Sequence, residues 1–143
     1  MIPPTLEELS ASQRRLVEAL RRNAHRPAPR PGEWSAVEVA GHLAASESEC
    51  FEPRIKAIAG GSNPHFDFYS NGDRDFSRVS IESSLTEWTA TRNRILGFVA
   101  GLTPEQLAHT GRHDAYGEIT VGRYLQIALD HDGEHLQDLS RGL

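Results

Sequence analysis

Two histidines near the end of the sequence are spaced so that their rings can bind one metal ion. His131 and His135 are four residues apart, so on a helix they lie about 40° apart on the same face, one turn above the other. Neutral imidazoles at this spacing are a common way for a helix to supply two ligands to Zn²⁺ or a similar cation. The same face carries the apolar residues Val121, Tyr124, Ala128 and Leu139. We therefore expect both rings to point into a protein core.

His42 is the candidate third ligand, on a different predicted helix. It shares a face with Val39, Ser46, Glu49 and Pro53. Three histidines from two helices would leave at least one coordination position open, which is typical of a catalytic metal site rather than a structural one. The competing interpretation is that these rings are surface, capping or hydrogen-bonded core residues. The choice depends on how the two helices pair, which the spacing alone does not establish.

The segment around the histidine pair also fits a protease pattern. His131-Asp132-Gly133-Glu134-His135 matches the H-x-x-E-H motif of inverted zinc proteases. Such enzymes need a further carboxylate ligand well downstream, and we do not expect one in the few residues after His135. In a helix, Glu134 also lies about 60° from His135 on the side away from His131. We therefore expect Glu134 to be solvated and reject this interpretation.

Three further residues are candidates for catalysis beside a metal. Glu49 falls two turns from His42 on the same predicted face, where a solvated or salt-bridged role competes with that of a base. His113 and Tyr116 lie just before the last predicted helix and are candidates for lining a pocket. Cys50 is expected to be a small buried hydrophobe, because no basic residue is placed by the sequence to lower the pKa of its thiol.

Four predicted helices must position these residues. Their apolar residues recur at helical spacing over 5–23, 35–59, 80–101 and 121–140. Pro53 lies inside the second span and is expected to kink it or to loosen its last turns. Arg92 and Arg94 on the third would line a site or pair with acids. The pattern predicts an all-α protein, an antiparallel four-helix bundle that forms a single domain over residues 1–143.

The connections between these helices differ in character. Residues 60–79 carry turn signals and four aromatic side chains, and a long aromatic loop in a small domain is usually packed over something. Residues 103–106 predict a short helical turn, because a threonine cap is followed by a proline. Residues 109–118 are predicted to be a loop. We expect no strand, because the one β-branched cluster, residues 119–121, is too short.

Composition narrows the class of protein. The chain has 143 residues, of which 38% are apolar and 24% charged, as expected of one globular domain. Its single cysteine excludes an internal disulfide and a zinc site built on several thiolates. A formal charge of −5 argues against a protein whose main task is holding nucleic acid. With no long apolar run and no signal-peptide pattern, we expect a cytoplasmic protein without a membrane partner.

Several motifs, in order over nearly the whole chain, resemble those of the DinB-like superfamily. They are Trp34-Ser35 with His42-Leu43, Gly111-Arg112-His113 with Gly117-Glu118-Ile119-Thr120-Val121, and His131-Asp132-x-x-His135-Leu136. The resemblance implies a four-helix bundle and a divalent metal held by histidines at positions 42, 131 and 135. Characterised relatives include transferases and isomerases that use low-molecular-weight thiols such as bacillithiol or mycothiol. Relatives often pair, so the resemblance also implies a homodimer.

The leading hypothesis is a metal-dependent enzyme that acts on a small molecule. Imidazole ligands suit Zn²⁺, Ni²⁺ or Fe²⁺ alike, and the open position would take water or a thiol whose pKa the cation lowers. A thiol would then attack an electrophilic carbon, and the aromatics of 60–79 with Tyr116 would cover an apolar substrate. Two alternatives stay open: a metal-dependent hydrolase, and a non-catalytic metal-stabilised module for binding or dimerisation.

Overall fold

The computed structural model describes residues 3–141. The helices are α1 (Leu6–Arg22), α2 (Ala36–Ser46), α3 (Glu52–Ala59), α4 (Ile81–Ala100), α5 (Pro104–Ala108) and α6 (Val121–Arg141), and a π-helical turn (Glu47–Phe51) joins α2 to α3. The strands are β1 (His65–Phe66), β2 (Thr110–His113) and β3 (Gly117–Thr120). The predicted four-helix bundle is confirmed, with α1, α2–α3, α4 and α6 as its helices.

Three of the bundle helices begin at side-chain caps, two of which, Thr5 and Ser35, the sequence signals. Thr5, Ser35 and Ser80 each accept a hydrogen bond from the backbone N–H three residues on, and Glu38 completes a capping box with Ser35. These bonds satisfy donors that a helix otherwise leaves free in its first turn. The caps explain why the starts of these three helices agree with the predicted spans.

The second bundle helix accommodates Pro53 by loosening rather than by breaking. A proline inside a regular α-helix lacks the N–H of its turn, and its ring crowds the carbonyl four residues back. Just before Pro53, the backbone N–H of Glu52 bonds to the carbonyl of Glu47, a five-residue spacing. This wider π turn gives the ring room. The sequence predicts that Pro53 kinks this helix or loosens its last turns. The structure instead places the loosened turn before Pro53, and the last turns, Glu52–Ala59, are regular α-helix.

The directions of the bundle helices require a long connection between α3 and α4. α1 and α6 run parallel to each other, and α2–α3 and α4 run parallel to each other and antiparallel to that first pair. The contacts that fix these directions are Pro3–Gly122 and Ser12–Asp132, Arg21–Glu82 and Gln13–Trp88, and His42–His131 and Arg54–Tyr124. Because α3 and α4 point the same way, the chain between them must travel back along the bundle, about 30 Å for a helix of this length.

Residues 60–80 make this return and are called the crossover segment. They pack over the bundle, as predicted for the aromatic loop. Phe76 is 5% exposed, and a Cβ at Gly41 of α2 would come within 2.9 Å of its ring. The absence of a side chain at Gly41 therefore lets the crossover segment lie directly on α2, next to His42.

A small sheet corrects the expectation that the chain forms no strand. β2 and β3 form an antiparallel hairpin whose turn, residues 114–116, leads into Gly117 with a φ of 74°. β1 of the crossover segment pairs in parallel with β2. Ile119 is fully buried while Glu118 beside it is exposed, so buried and exposed side chains alternate in β3 as in a strand with one buried face. It covers only four residues, which is too short a stretch for periodicity to reveal. The predicted loop at 109–118 is wrong for residues 110–113 and 117–118 for this reason, whereas residues 114–116 form the turn between the strands.

A buried ion network lies at the centre of the bundle. The guanidinium of Arg92 on α4 contacts Glu47 at 2.7 Å and Asp132 at 2.6 Å, and all three side chains are 2–3% exposed. Arg94 pairs with Glu52 at 3.0 Å nearer the surface. Of the two alternatives for these arginines, pairing with acids is confirmed. Within residues 3–141, no helix combines the length and apolar character that a membrane span requires.

Candidate metal centre

The Nε2 atoms of three histidines converge between α2 and α6. Nε2 of His131 lies 3.1 Å from Nε2 of His42 and 3.1 Å from Nε2 of His135, and all three ligand atoms lie within 4.8 Å of one another. Two nitrogens that each lie about 2.1 Å from one tetrahedral ion are about 3.4 Å apart. The spacing therefore fits ligands of a shared cation, and the structure brings together all three predicted ligand residues.

The cluster offers three candidate ligands and no more within the part of the chain that the structure describes. No other histidine, cysteine, aspartate or glutamate of residues 3–140 joins it. A tetrahedral ion held by three imidazoles keeps one position for an outside molecule. A ligand set of this kind is typical of catalytic metal sites, whereas structural sites are closed by a fourth side chain.

Burial keeps the three rings uncharged at neutral pH. It lowers the pKa of His42 from its ordinary value, that of His131 to about 4 and that of His135 to about 3. The ring of His42 and the Arg92 cation further lower the pKa of His131, and the rings of His131 and His42 further lower that of His135. Neutral imidazole is the form that binds a metal. The site is therefore in its ligating state without any proton having to leave.

Asn71 of the crossover segment sets the orientation of His42. Its amide nitrogen donates to the hydroxyl of Ser46 at 3.2 Å and to that of Tyr69 at 2.9 Å. Its oxygen lies 2.6 Å from Nδ1 of His42 and, being an acceptor, binds an N–H there. A proton on Nδ1 leaves the lone pair on Nε2, which faces the point shared by the three rings.

Asn71 is the inner end of a hydrogen-bond chain that begins at the surface. Arg74 donates to both carboxylate oxygens of Glu49, at 2.8 Å each, and the Tyr69 hydroxyl donates to the same carboxylate at 3.1 Å. The hydrogen bond from Arg74 is the main cause of a lowered pKa of Glu49. Glu49 thus reaches His42 only through Tyr69 and Asn71. Its predicted role as a base stays a prediction, and these contacts favour a positioning role.

The other two catalytic candidates lie at a distance from the histidines but in the same cavity. A cavity of about 450 Å³ is lined by His42 and His131 at one end and by His113 and Tyr116 at the other. Exposed Glu134 lies at its rim, in agreement with the prediction that it is solvated. Cys50 is buried in the cavity wall, and burial raises the pKa of its thiol, as predicted for an unreactive cysteine.

A second cavity, of about 850 Å³, adjoins the cluster at His135. It lies beneath the connection between α1 and α2 and is bordered by Trp34, whose ring is 4.5 Å from that of His42. Gly72 of the crossover segment lines both cavities. The histidine cluster therefore lies between two spaces that are open to small molecules.

Several residues of this site are not predicted from the sequence. Asn71 is part of an Asn-Gly turn signal, and no spacing rule connects residue 71 with His42, because only the path of the crossover segment brings them together. The sequence indicates Tyr69 only as one of the aromatics of 60–79 that would cover an apolar substrate. Glu47 and Asp132 carry a weak signal, since both are acids on helix faces that otherwise hold apolar residues.

Comparisons with known proteins agree with this fold. A family model described as the DinB superfamily matches residues 5–139. Among solved structures, the chain is similar to YfiT from Bacillus subtilis, described as a probable metal-dependent hydrolase with an unusual four-helix bundle topology. The two share 20% identity with a TM-score of 0.82, over 96% of this chain and 82% of that one. Comparison with curated proteins gives no match.

Proposed function

The chain belongs to the DinB superfamily, and from this premise we propose that it is a metal-dependent enzyme whose cation is held by His42, His131 and His135. The observation that carries the proposal is the convergence of three neutral Nε2 atoms with no fourth protein ligand among the described residues. The same observation counts against the non-catalytic module, for which a fourth ligand would close the coordination shell.

The chain's own residues prepare this site for chemistry. A divalent cation held there would lower the pKa of a fourth ligand, a thiol or water, so that a nucleophile is available near neutral pH. Asn71 holds Nε2 of His42 towards the shared point. The ring of Phe51 packs beside the centre, 6.2 Å from that of His131. Zn²⁺, Ni²⁺ and Fe²⁺ all suit three imidazoles.

The reaction we favour is transfer of a low-molecular-weight thiol to an electrophilic small molecule. The sulfur would form a bond to an electrophilic carbon, its proton would pass to solvent, and the bonding pair would leave with the displaced group. The two cavities support this reaction, because one lies at His42 and His131 and the other at His135. A reaction between two organic molecules needs room for both, whereas hydrolysis needs room for one.

Hydrolysis is the second candidate function. YfiT, which shares this fold, is described as a probable metal-dependent hydrolase. Water in place of the thiol would use the same histidines, so the site needs no other change.

An assay of the metal-loaded protein separates the candidates. Protein loaded with Zn²⁺, Ni²⁺ or Fe²⁺ is mixed with a cysteine-based thiol and an activated aryl halide, and separately with an activated ester. We expect metal-dependent thioether formation that is lost in His131→Ala and kept in His25→Ala, an exposed histidine outside the cluster. Ester cleavage without thioether formation would show the hydrolase. Loaded protein that catalyses neither reaction would contradict the proposal and favour the module.

The expected partners stay predictions as well. We propose a small-molecule substrate, a homodimer, and no nucleic-acid or membrane partner. Sedimentation analysis of the metal-loaded protein tests the homodimer, since a mass of one chain would exclude it.

A further inference from the structure

The cavity at His42 and His131 has a distinctive far end, where His113 of β2 presents a single hydrogen-bond donor. Nδ1 of His113 accepts the backbone N–H of Ala115 at 2.9 Å and that of Tyr116 at 3.3 Å, so the ring proton is on Nε2. Nε2 has no hydrogen-bond partner among the described side chains and backbone. Every fully buried side-chain nitrogen of these residues does have such a partner, so Nε2 of His113 is not fully buried. It therefore opens onto the cavity that His113 lines.

Arg54 of α3 adds an incompletely neutralised cation to this end. Its guanidinium donates to the carbonyl of Asp67 at 2.9 Å and to the hydroxyl of Tyr124 at 3.1 Å. The nearest carboxylate oxygen, that of Asp67, is 3.5 Å away on a side chain that is 84% exposed. Arg92 in the core, by contrast, has two buried carboxylates within 2.7 Å. The Arg54 cation also lowers the pKa of His113, second only to burial, which keeps that ring a neutral donor.

A second arginine lies at the same end. Arg123 lines the cavity and lies over the ring of Tyr116, 5.5 Å from its centre. Within the described residues, no carboxylate pairs with it at 4.0 Å or less. Its guanidinium is therefore free to bind an anion with two parallel hydrogen bonds.

An aromatic wall separates these donors from the histidine cluster. The ring of Phe51 lies 6.2 Å from His131 and 6.0 Å from Tyr124, and Tyr124 lies 6.4 Å from His113. The acids that line this cavity, Asp130 and Glu134, are exposed and flank His131 on α6. The cavity is thus acidic at its rim near the cluster, aromatic along its length and cationic at the hairpin.

We propose that the hairpin end of this cavity, formed by Arg54, His113 and Arg123, is a carboxylate-binding subsite, and that the substrate is a small organic acid with an apolar body. The carboxylate would bind at the hairpin, the apolar body would lie along Phe51 and Tyr124, and the reacting atom would lie at the histidines. The placement of the reacting atom at the histidines rests on the proposed function, whereas binding of the carboxylate needs no metal.

Titration calorimetry with benzoate, its neutral counterpart benzyl alcohol, and phenyl phosphate tests the subsite on metal-free and metal-loaded protein. We expect benzoate to bind at least about tenfold more tightly than benzyl alcohol, since hydrogen bonds to charged groups are stronger than those between neutral groups. The preference should weaken with added salt. The metal-free protein tests the subsite even if the histidines bind no metal. Tight binding of benzoate to the metal-free protein would support the subsite without supporting the proposed function.

Variants of the subsite residues distinguish binding at the subsite from non-specific binding of benzoate. His113→Asn keeps an acceptor for the turn but removes the donor that faces the cavity, and should weaken benzoate binding about tenfold or more. Arg123→Met, which retains the contact with Tyr116, should do the same. His65→Asn on β1, an exposed histidine paired with Asp114, is the matched control. Benzoate affinity unchanged in both test variants, equal affinity for benzyl alcohol, or tighter binding of phenyl phosphate would overturn the proposal.

Discussion

The side-chain oxygen of Asn71 lies 2.6 Å from Nδ1 of His42, so a residue of the crossover segment orients a ring of the second bundle helix. The segment is therefore more than a connection. Its length follows from the parallel directions of α3 and α4, and its path over Gly41 brings the amide to the histidine. Through Tyr69 and Glu49, the same contact is tied to the surface ion pair with Arg74.

Removing the Asn71 amide should weaken metal binding. Partners that fix a ligating histidine typically contribute about 10- to 100-fold in metal affinity, so we expect a loss of that size in Asn71→Ala. Asn71→Asp should retain affinity, because a carboxylate accepts the same hydrogen bond. Competition with a chromophoric chelator measures the constants, and Asn93→Ala, an exposed asparagine on α4, is the control. Equal affinity in Asn71→Ala and Asn93→Ala would show that the contact does not orient the ligand.

Breaking the buried ion network should strongly destabilise the protein. Arg92→Met leaves the carboxylates of Glu47 and Asp132 buried without a cation, which costs about 3–5 kcal/mol. Arg94→Met on the same helix breaks a pair whose arginine is 54% exposed, and should cost less than about 1 kcal/mol. Urea unfolding measures both. A loss in Arg92→Met as small as that in Arg94→Met would mean that the network contributes little.

The metal-free protein should lose stability as the pH falls. His131 and His135 have ordinary pKa values near 6.5 in the unfolded chain, and about 4 and about 3 in the folded protein. Below about pH 6.5 the unfolded chain binds more protons, so the free energy of unfolding decreases, by about 2 kcal/mol per ring down to about pH 5. Urea unfolding between these pH values measures the decrease. His135→Leu should show a shallower dependence, and a dependence as steep as that of the wild type would contradict the assignment.

The bundle helices were predictable because their signals are local. Capping patterns at Thr5 and Ser35 indicate where two helices begin, and apolar residues at helical spacing indicate which face each helix buries. The histidine pair on α6 follows from the same periodicity. His42 could be placed on an inward face, but its meeting with the pair depends on α2 and α6 lying side by side, which only the family resemblance supplied.

What escaped prediction depends on contacts between distant parts of the chain. The β2–β3 hairpin is too short for alternation to be distinguished from a loop, and β1 pairs with it only because the crossover segment passes beside it. Asn71 and the buried acids Glu47 and Asp132 are functional or stabilising through partners on other elements. The directions of the helices determine which of these residues come into contact. A local sequence pattern contains no information about the direction in which a helix runs.

The bound metal of the purified protein tests the central claim most directly. Protein prepared without an affinity tag is analysed for metal by mass spectrometry, and its melting is followed with and without added Zn²⁺ or Ni²⁺. If His42, His131 and His135 hold a cation, the wild type contains one divalent ion per chain or gains stability when the metal is added, and His135→Leu does neither. A wild type that is free of metal, and whose melting is unchanged by either ion, would contradict the account.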